Sequence, residues 1–464
     1  MTRRISPAVL WRHAWLAINR LGWGVLDQAM SSLTNFLLTF YVARSLGTAE
    51  FGSFSLAYVT YGFSLTWLRG LSSEPLLIRF SDTSVKIWRR AVSSSTGTGL
   101  LVGLFTGACA LVAGVFIRGV AGQGFVAVGL MMPVLMLQEA WRFAFFTARK
   151  GYHALINDGV WAAVQIPLLL AVKLTGHGDV FWFVIAWGMG AAVGSVLGCF
   201  QARVIPNLIG ATSWLIVHRD LGPRYLVENA SNNGASTLQS YGVTSLLGLD
   251  AVGVINAAGV LMGPFHIIAS GIGLVTIPEG RKLLRHSPRQ LPRFCVVVSL
   301  GLSMLAAAWA AVLLVALPIG LGHLMLGGLW RPAYPLVIPT TVSLLAYTSS
   351  IGAGIGLHSM GAARHSMRST LIGAVISMAF TLIGAIVWGI YGTVLLGAAG
   401  SFIGTAISWR AFVKAMRESD RVPVPQWMEV SVVGRRVAGR HRHSAAISDS
   451  HAPVLQESAR DARS

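Results

Sequence analysis

The sequence has few acidic residues and few charges of any kind. Only 17 of its 464 residues are Asp or Glu, charged residues make up 11% of the chain, and hydrophobic residues make up 54%. A soluble domain of this length keeps about a quarter of its residues charged, so this composition excludes a soluble fold. A mean hydropathy of +0.64, with repeated apolar runs of about 20 residues, indicates a polytopic membrane protein.

Cysteine, nucleotide-binding motifs and metal-binding motifs are equally scarce. The three cysteines lie in or beside apolar segments, and their odd number and isolation exclude a disulfide framework. The sequence contains no Gly-x-x-x-x-Gly-Lys-Ser/Thr loop and no His-Glu-x-x-His motif, so we predict no ATP site, no metal site and no cofactor. No long outer loop could carry a catalytic domain, and we expect that the protein is not an enzyme.

The net charge of +19 has a topological explanation. Basic residues cluster in alternate connections, after the second, fourth, sixth, eighth and tenth apolar segments. Short loops rich in Lys and Arg stay in the cytoplasm, so we predict a protein of the cytoplasmic membrane with both termini cytoplasmic, and we do not expect nucleic-acid binding. Residues 1–20 lack an apolar core followed by a cleavage site, which excludes a removable signal peptide.

Twelve apolar segments fall into two sets of six. The first set lies near 21–45, 51–73, 92–117, 121–146, 156–176 and 180–202, and the second near 225–248, 251–277, 294–320, 333–357, 369–389 and 392–414. We therefore predict a cytoplasmic N-terminus at 1–20, an N-lobe at 21–205, a cytoplasmic linker at 206–224 and a C-lobe at 225–416. The tail at 417–464 lacks apolar periodicity, which is typical of disorder and predicts a cytoplasmic tail without a fold.

The two halves carry the same turn motif. Residues 46–52, before the second segment, and residues 247–253, before the eighth, both read Leu-Gly, four residues, Gly, at an offset of 201 residues. Six spans return the chain to the same side of the membrane, so the repeats run parallel about an axis along the membrane normal. Gly47 and Gly248 would each permit a tight outer turn with positive φ.

Polar faces on the first and seventh segments are candidates for the lining of a cavity. The same offset relates Asp27 to Glu228. Asp27 shares a helical face with Asn35, and Glu228 shares one with Asn232 and Gln239, because residues three or four apart are neighbours on a helix. A charge in the middle of the bilayer costs roughly 2.5–3.5 kcal/mol or more. We therefore predict that both faces line a water-filled cavity between the halves and bind substrate.

The end of the second segment adds two charged candidates, Arg69 and Glu74. They are five residues apart, so a direct pair would need a break or a bend in the helix. One interpretation is a charged cavity floor that meets an anionic substrate, and the other is an arginine that snorkels to the cytoplasmic interface. For Glu139 and Arg142, one turn apart in the fourth segment, anchoring at the interface is the favoured interpretation.

These motifs resemble those of the Wzx-type oligosaccharide flippases of the multidrug/oligosaccharidyl-lipid/polysaccharide exporter superfamily. The resemblance covers roughly residues 20–415. It is carried by residues 46–52 with Ala57, 68–70, 74–75, 139–142, 157–161, 247–253 with Ala258, and 263–264.

The resemblance implies an all-α protein of about twelve transmembrane helices in a two-lobed, V-shaped bundle, with spans one, two, seven and eight around a central cavity. The implied substrate is a glycan on polyprenyl pyrophosphate, flipped to the external leaflet for surface or cell-wall polysaccharide, by alternating access without ATP. Arg69 would meet the pyrophosphate beside Asp27 and Glu74, and Glu228 looks like an acid that some relatives couple to a cation. A glycan polymerase or glycosyltransferases of the same pathway would be partners.

Several alternatives remain at this stage. A cation-coupled small-molecule exporter of the same superfamily would have more aromatic and fewer amide side chains on the first and seventh spans. A flippase for the lipid-linked peptidoglycan precursor would have a more basic cavity. A membrane scaffold would not need matched carboxylates in both halves, and a glycan polymerase or ligase would need a long outer loop.

Overall fold

Every element in the part of the chain that the computed structural model describes is helical, as predicted. It describes residues 7–81, 83–176, 178–266, 276, 279–284 and 287–419, with the backbone only at 7–22, 25, 228, 231–233, 363 and 419. The longer helices are α1 (Pro7–Ser45), α2 (Thr48–Leu68), α3 (Glu74–Phe80), α4 (Val85–Ile117), α5 (Gly119–Thr147), α6 (Gly151–Leu174), α7 (Val180–Ala202), α8 (Leu208–Val217), α9 (Gly222–Leu261), α10 (Leu291–Ala316), α11 (Val337–Ser359) and α12 (Ala363–Ser419). The chain divides into two compact units, Met1–Phe412 and Val413–Ser464, and all packing discussed below lies within the first.

Seven stretches of the described residues are long and apolar enough to cross a membrane. They are Val85–Ile117, Gly119–Thr147, Gly151–Leu174, Val180–Ala202, Gly234–Leu261, Pro288–Ser359 and Arg364–Glu418. The last two run for 72 and 55 residues, whereas one crossing requires about 20. Each of these two stretches therefore contains more than one membrane-length helix, and the first of them includes both α10 and α11.

Helix α12 is a hairpin of two antiparallel arms. Its backbone leaves the helical region at Gly389, where φ is 61°. On either side of this turn, a Cβ on Gly384 would overlap the carbonyl oxygen of Gly392, and a Cβ on Gly373 would lie 3.1 Å from the Cα of Gly404. Small residues let the two helix backbones approach this closely. The two arms correspond to the last two predicted apolar segments.

Replacement of Gly384 by Ala is expected to lower the free energy of unfolding by about 1–3 kcal/mol, because the new methyl group must displace the backbone of the opposite arm. Thermal unfolding of the purified protein in detergent measures the loss. Gly301→Ala on α10 is the matched control, since nothing lies within 4 Å of a Cβ at that position. Equal melting temperatures for the two variants would contradict this account of the hairpin.

Helix α9 is broken at the second Leu-Gly motif, where Gly248 has φ of 82°. The first motif does not repeat this geometry, because Gly47 has φ of −75° and caps the start of α2. Its backbone N–H donates to Oε2 of Glu50 over 3.2 Å, so a side chain three residues ahead holds this turn. The predicted positive φ is thus confirmed at Gly248 and wrong at Gly47.

The predicted polar linker contains a ten-residue apolar helix, α8. This helix packs against the first half of the chain, where the indole N–H of Trp214 donates to the carbonyl of Leu71 over 3.1 Å. Just beyond α8, Arg79 at the end of α3 pairs with Asp220 over 2.6 Å. The region between the predicted lobes is therefore a packed element rather than an extended connection, and Arg79 has an acidic partner there.

Close helix packing in the first half depends on glycine. A Cβ on Gly103 of α4 would lie 2.7 Å from the Cα of Pro133 on α5, and a Cβ on Gly107 would lie 2.6 Å from the carbonyl oxygen of Gly129. Because van der Waals contact is a main source of association between membrane helices, small residues at the interface bring the backbones together. This packing explains part of the high glycine content, 52 residues.

Candidate functional site

The two Leu-Gly motifs pack reciprocally against each other. A Cβ on Gly52 would overlap the carbonyl oxygen of Leu249, and a Cβ on Gly253 would overlap that of Thr48. The 201-residue offset exchanges these two contacts, since it relates Gly52 to Gly253 and Thr48 to Leu249. The hydroxyl of Thr48 also donates to Oδ1 of Asp250. Equivalent residues of the two repeats thus meet about a local pseudo-two-fold axis.

A cavity of about 490 Å³ lies beside this contact, between α1, α2 and the second part of α9. The residues that line it are Ser32, Asn35, Phe36, Thr39, Phe54, Ser55, Tyr58, Val59, Asn256, Gly259, Val260, Gly263 and His266. Three pairs of them are related by the 201-residue offset: Ser55 and Asn256, Tyr58 and Gly259, and Val59 and Val260. Both repeats therefore contribute equivalent positions to the lining of the cavity.

The cavity combines polar groups with an aromatic wall. Its described lining holds amides, hydroxyls and one imidazole, and no Asp, Glu, Lys or Arg. Tyr58 stacks on Phe54 with ring centroids 6.4 Å apart and contacts Trp187 at 5.6 Å. The repeat counterpart of Tyr58 is Gly259, which has nothing within 4 Å of a Cβ at its position. The parts of the lining that come from α2 and from α9 consequently differ, although they occupy equivalent positions in the two repeats.

A buried ion network lies in the first half, outside this cavity. Nε of Arg142 donates to Oδ2 of Asp27 over 2.7 Å, and the same guanidinium lies 3.6 Å from Glu139 and 3.8 Å from Asp158. Arg69 donates to Oε1 of Glu139 over 2.7 Å. Asp27 is 0% exposed and Glu139 is 4% exposed. Two guanidinium groups therefore compensate three carboxyl groups from α1, α5 and α6.

The helix geometry separates Arg69 from Glu74. A π-helical turn, Arg69–Ser73, joins α2 to α3, and Gly70 inside it packs so closely on α9 that a Cβ would lie 2.7 Å from the Cα of Leu226. Arg69 turns to Glu139, whereas Oε1 of Glu74 accepts from Asn229 on α9 over 3.1 Å. The break that a direct pair would need is present, but each residue bonds to another helix.

The predicted site residues fall into separate places. Asn35 lines the cavity, and Gln239 is half-buried on α9. Asp27 and Arg69 belong to the ion network instead of the lining of this cavity. The carboxyl group of Asp27 is completely buried against Arg142. The side chains of Glu228 and Asn232 lie outside those that the structure describes.

Sequence reasoning missed the partners of the network. Glu139 and Arg142 were expected to anchor the protein at the interface, yet Glu139 is buried and joins both arginines. Asp158 was missed as well, although a carboxylate next to Asn157 in an apolar span is a visible signal. In the cavity, Asn256 was recoverable from the offset, because it is the repeat counterpart of Ser55.

The fold is that of the transporters of the MOP superfamily. The inward-facing structure of a multidrug resistance MATE family transporter of this superfamily matches with a TM-score of 0.62 and 12% identity, over 85% of this chain and 96% of its own. Lipid II flippase MurJ in the inward closed conformation matches with a TM-score of 0.64 and 10% identity, over 86% and 90%. A MOP superfamily transporter from Pyrococcus furiosus Vc1 matches with a TM-score of 0.52 and 14% identity, over 86% and 95%. No family model and no curated protein sequence matches this chain.

Proposed function

We propose that the protein flips a polyprenyl-pyrophosphate-linked oligosaccharide from the cytoplasmic to the external leaflet, by alternating access without ATP. The observation that carries this proposal is the cavity between equivalent parts of the two repeats, whose described lining has amide, hydroxyl and aromatic side chains and no Asp, Glu, Lys or Arg. The likeness in fold to a multidrug resistance MATE family transporter and to lipid II flippase MurJ supports it. The product would serve surface or cell-wall polysaccharide synthesis.

The chemistry of the cavity suits a sugar headgroup. Each hydroxyl moved into hydrocarbon without a partner costs on the order of 2–7 kcal/mol. Asn35, Asn256 and Ser55 offer donors and acceptors that replace the lost water, and the ring of Tyr58 offers a flat surface for the apolar face of a pyranose. The polyprenyl tail would remain in the bilayer while the headgroup uses this cavity.

Arg69 is the proposed contact for the pyrophosphate. Its side chain is 36% exposed even though it pairs with the buried Glu139. A guanidinium presents five N–H donors in a planar fork, so one edge can hold Glu139 while others reach a phosphate. Asp27 and Glu74 then act through the surrounding structure, because Asp27 holds Arg142 and Glu74 accepts from Asn229.

The proposal includes a topology of twelve spans in two six-helix lobes, at 21–205 and 225–416, in the cytoplasmic membrane. The linker at 206–224 and both termini, including the tail at 417–464, would lie in the cytoplasm. The reciprocal packing of the two Leu-Gly motifs supports parallel repeats. Glycosyltransferases or a glycan polymerase of the same pathway would be the partners that supply and consume the flipped glycan.

A cation-coupled small-molecule exporter is the second candidate, and the ion network favours it. Three carboxyl groups share two guanidinium groups there, so one carboxyl group could exchange a proton during transport. A precursor flippase for peptidoglycan is less well supported, because the described cavity lining contains no arginine or lysine.

The double variant Asn35→Leu/Asn256→Leu is expected to abolish flipping, because it removes two amides from the cavity and leaves sugar hydroxyls without partners. In a strain depleted of the native protein, a rescue copy with these changes should leave a polyprenyl-linked glycan accumulated in the inner leaflet. Lipid-linked glycan profiling measures the accumulation and identifies the sugar.

Ser245→Leu provides the control for this experiment. Ser245 is exposed on α9, away from the cavity lining, and its hydroxyl bonds within its own helix to the carbonyl of Tyr241. This variant should restore the lipid profile fully. Immunoblots should show that the native protein and both variants are present in the membrane at equal levels. An unchanged lipid profile after depletion, with increased sensitivity to cationic drugs, would reject the flippase and favour the exporter.

A further inference from the structure

A second pocket, of about 650 Å³, opens at the end of the first half that we predict to be cytoplasmic. It forms where the start of α4, the turn between α5 and α6, and the end of α7 come together. Its position is set by helix topology, since each of these chain segments lies at the same end of the bundle. It begins one turn beyond the ion network, because Phe145 lines the pocket and Arg142 does not.

The described lining of this pocket is strongly basic. Arg89, Arg149, Lys150 and Arg203 line it, together with His153, and no carboxylate is among the lining residues that the structure describes. Arg89, Lys150 and Arg203 are exposed. None of these three forms an ion pair with a residue of the described ranges, in contrast to the paired arginines of the network nearby.

Two buried side-chain nitrogens of residues that line the pocket have no hydrogen-bond partner among the described residues. Trp88 is 7% exposed, and its indole N–H, which can only donate, is buried without a hydrogen-bond partner. Nδ1 of His153 is likewise buried and unbonded. Buried polar groups are normally paired, so each such group calls for an explanation such as a ligand. An oxyanion would supply an acceptor for the indole N–H, and for Nδ1 of His153 in the tautomer that carries its proton there.

Two of the arginines are held in an uncommon backbone conformation. Arg149 has φ of 59° and Arg203 has φ of 53°, a region that residues other than glycine rarely adopt. These two residues end α5 and α7 and bring their side chains to one pocket. A left-handed residue is a common way to end a helix, and here the two helix ends place both arginines in the lining of the same pocket.

We propose that this pocket binds a phosphate group. Charge-assisted bonds from Arg and Lys to phosphate are the strong form of such recognition, and basic pockets between transmembrane helices at the cytoplasmic side bind anionic lipid headgroups. The aromatic wall formed by Phe80, Trp88 and Phe145 favours the phosphodiester of an anionic membrane lipid over free phosphate. The site is separate from the glycan cavity and does not depend on the proposed flipping activity.

Titration of the purified full-length protein in non-ionic detergent with phosphatidylglycerol, followed by native mass spectrometry, tests the proposal. The variant Arg89→Gln/Lys150→Gln/Arg203→Gln is expected to bind phosphatidylglycerol about tenfold more weakly or worse, since each surface cation contributes to the binding of anionic lipid. Phosphatidylcholine, which has no net charge, should bind equally weakly to the variant and to the native protein.

The matched control is Lys86→Gln/Arg90→Gln/Arg224→Gln, which removes the same charge from exposed positions outside the pocket. It should bind phosphatidylglycerol as the native protein does, and thermal unfolding should show that both variants are folded. The single variant Arg89→Gln provides a milder change if the triple variant does not fold.

Inorganic phosphate added as a competitor distinguishes the two sources of the ligand. Failure of millimolar phosphate to displace the lipid would identify the lipid headgroup as the ligand, and full displacement would identify free phosphate. Equal phosphatidylglycerol affinity in the native protein and in the pocket variants, or an equal loss in the control variant, would overturn the proposal.

Discussion

Replacement of Arg142 by Met is expected to lower the free energy of unfolding by about 3–5 kcal/mol, the cost of leaving buried charges without a partner. Arg142 is the residue that Asp27, Glu139 and Asp158 have in common. Without it, Asp27 loses its bond of 2.7 Å, and only Arg69 remains to compensate the three carboxyl groups. Chemical unfolding of the detergent-solubilised protein measures the loss.

The effect should depend on burial rather than on the loss of an arginine as such. Arg79→Met removes an exposed ion pair with Asp220, and exposed pairs contribute only about 0–1 kcal/mol, so this control should melt nearly as the native protein does. Arg142→Met/Asp27→Asn should recover part of the stability, because it removes one of the uncompensated charges. If Arg142→Met and Arg79→Met cost the same, the network does not stabilise the fold.

Alanine at Gly52 or Gly253 is expected to open the predicted external end of the cavity and to impair transport. In the described structure the two positions are so close that each new methyl group would overlap a carbonyl oxygen of the other repeat. Overpacking of this kind costs about 1–3 kcal/mol. It should shift the balance between closed and open forms by about 5–150-fold.

Accessibility of the cavity measures this shift. In a chain whose three cysteines are replaced by serine, Asn35→Cys reports on the cavity lining when cells are treated with a membrane-impermeant thiol reagent. Labelling from outside should accelerate in the Gly52→Ala background. Gly62→Ala on the same helix has nothing within 4 Å of its Cβ and should leave the rate unchanged. Equal rates in the two backgrounds would show that the motif contact does not close the cavity.

Much of the fold could be predicted because the apolar segments and the turn residues between them determine where the helices lie along the chain. Helix α5 begins two residues before a predicted segment and α7 begins at its predicted first residue, whereas α4 begins seven residues before its segment. The repeat offset was also visible in sequence, and it correctly aligned Gly52 with Gly253. The backbone at Gly47 could not be foreseen, since the choice between two permitted turn conformations depended on the side chain of Glu50.

The candidate site was less predictable, because ion pairs form between helices that are distant in sequence. Spacing along one helix drew attention to Arg69 with Glu74, but the partner of Arg69 is 70 residues away on α5. Similarly, the position of Asp27 in an apolar segment shows that its carboxylate must be shielded from lipid. Either a water-filled cavity or a neighbouring guanidinium can provide this shielding. Only helix packing decides between them, and it selects Arg142.

The reciprocal contact between the two Leu-Gly motifs is the arrangement that a homodimer of identical half-length chains would make. In such a dimer every substitution changes both sides of the interface, because the same surface of each subunit forms the contact. A single chain that holds both copies is free of this constraint, and its two copies can diverge. The cavity shows the result, since Tyr58 and its repeat counterpart Gly259 both line it. A bulky residue at one position with a glycine at its counterpart is an asymmetry that identical subunits could not encode.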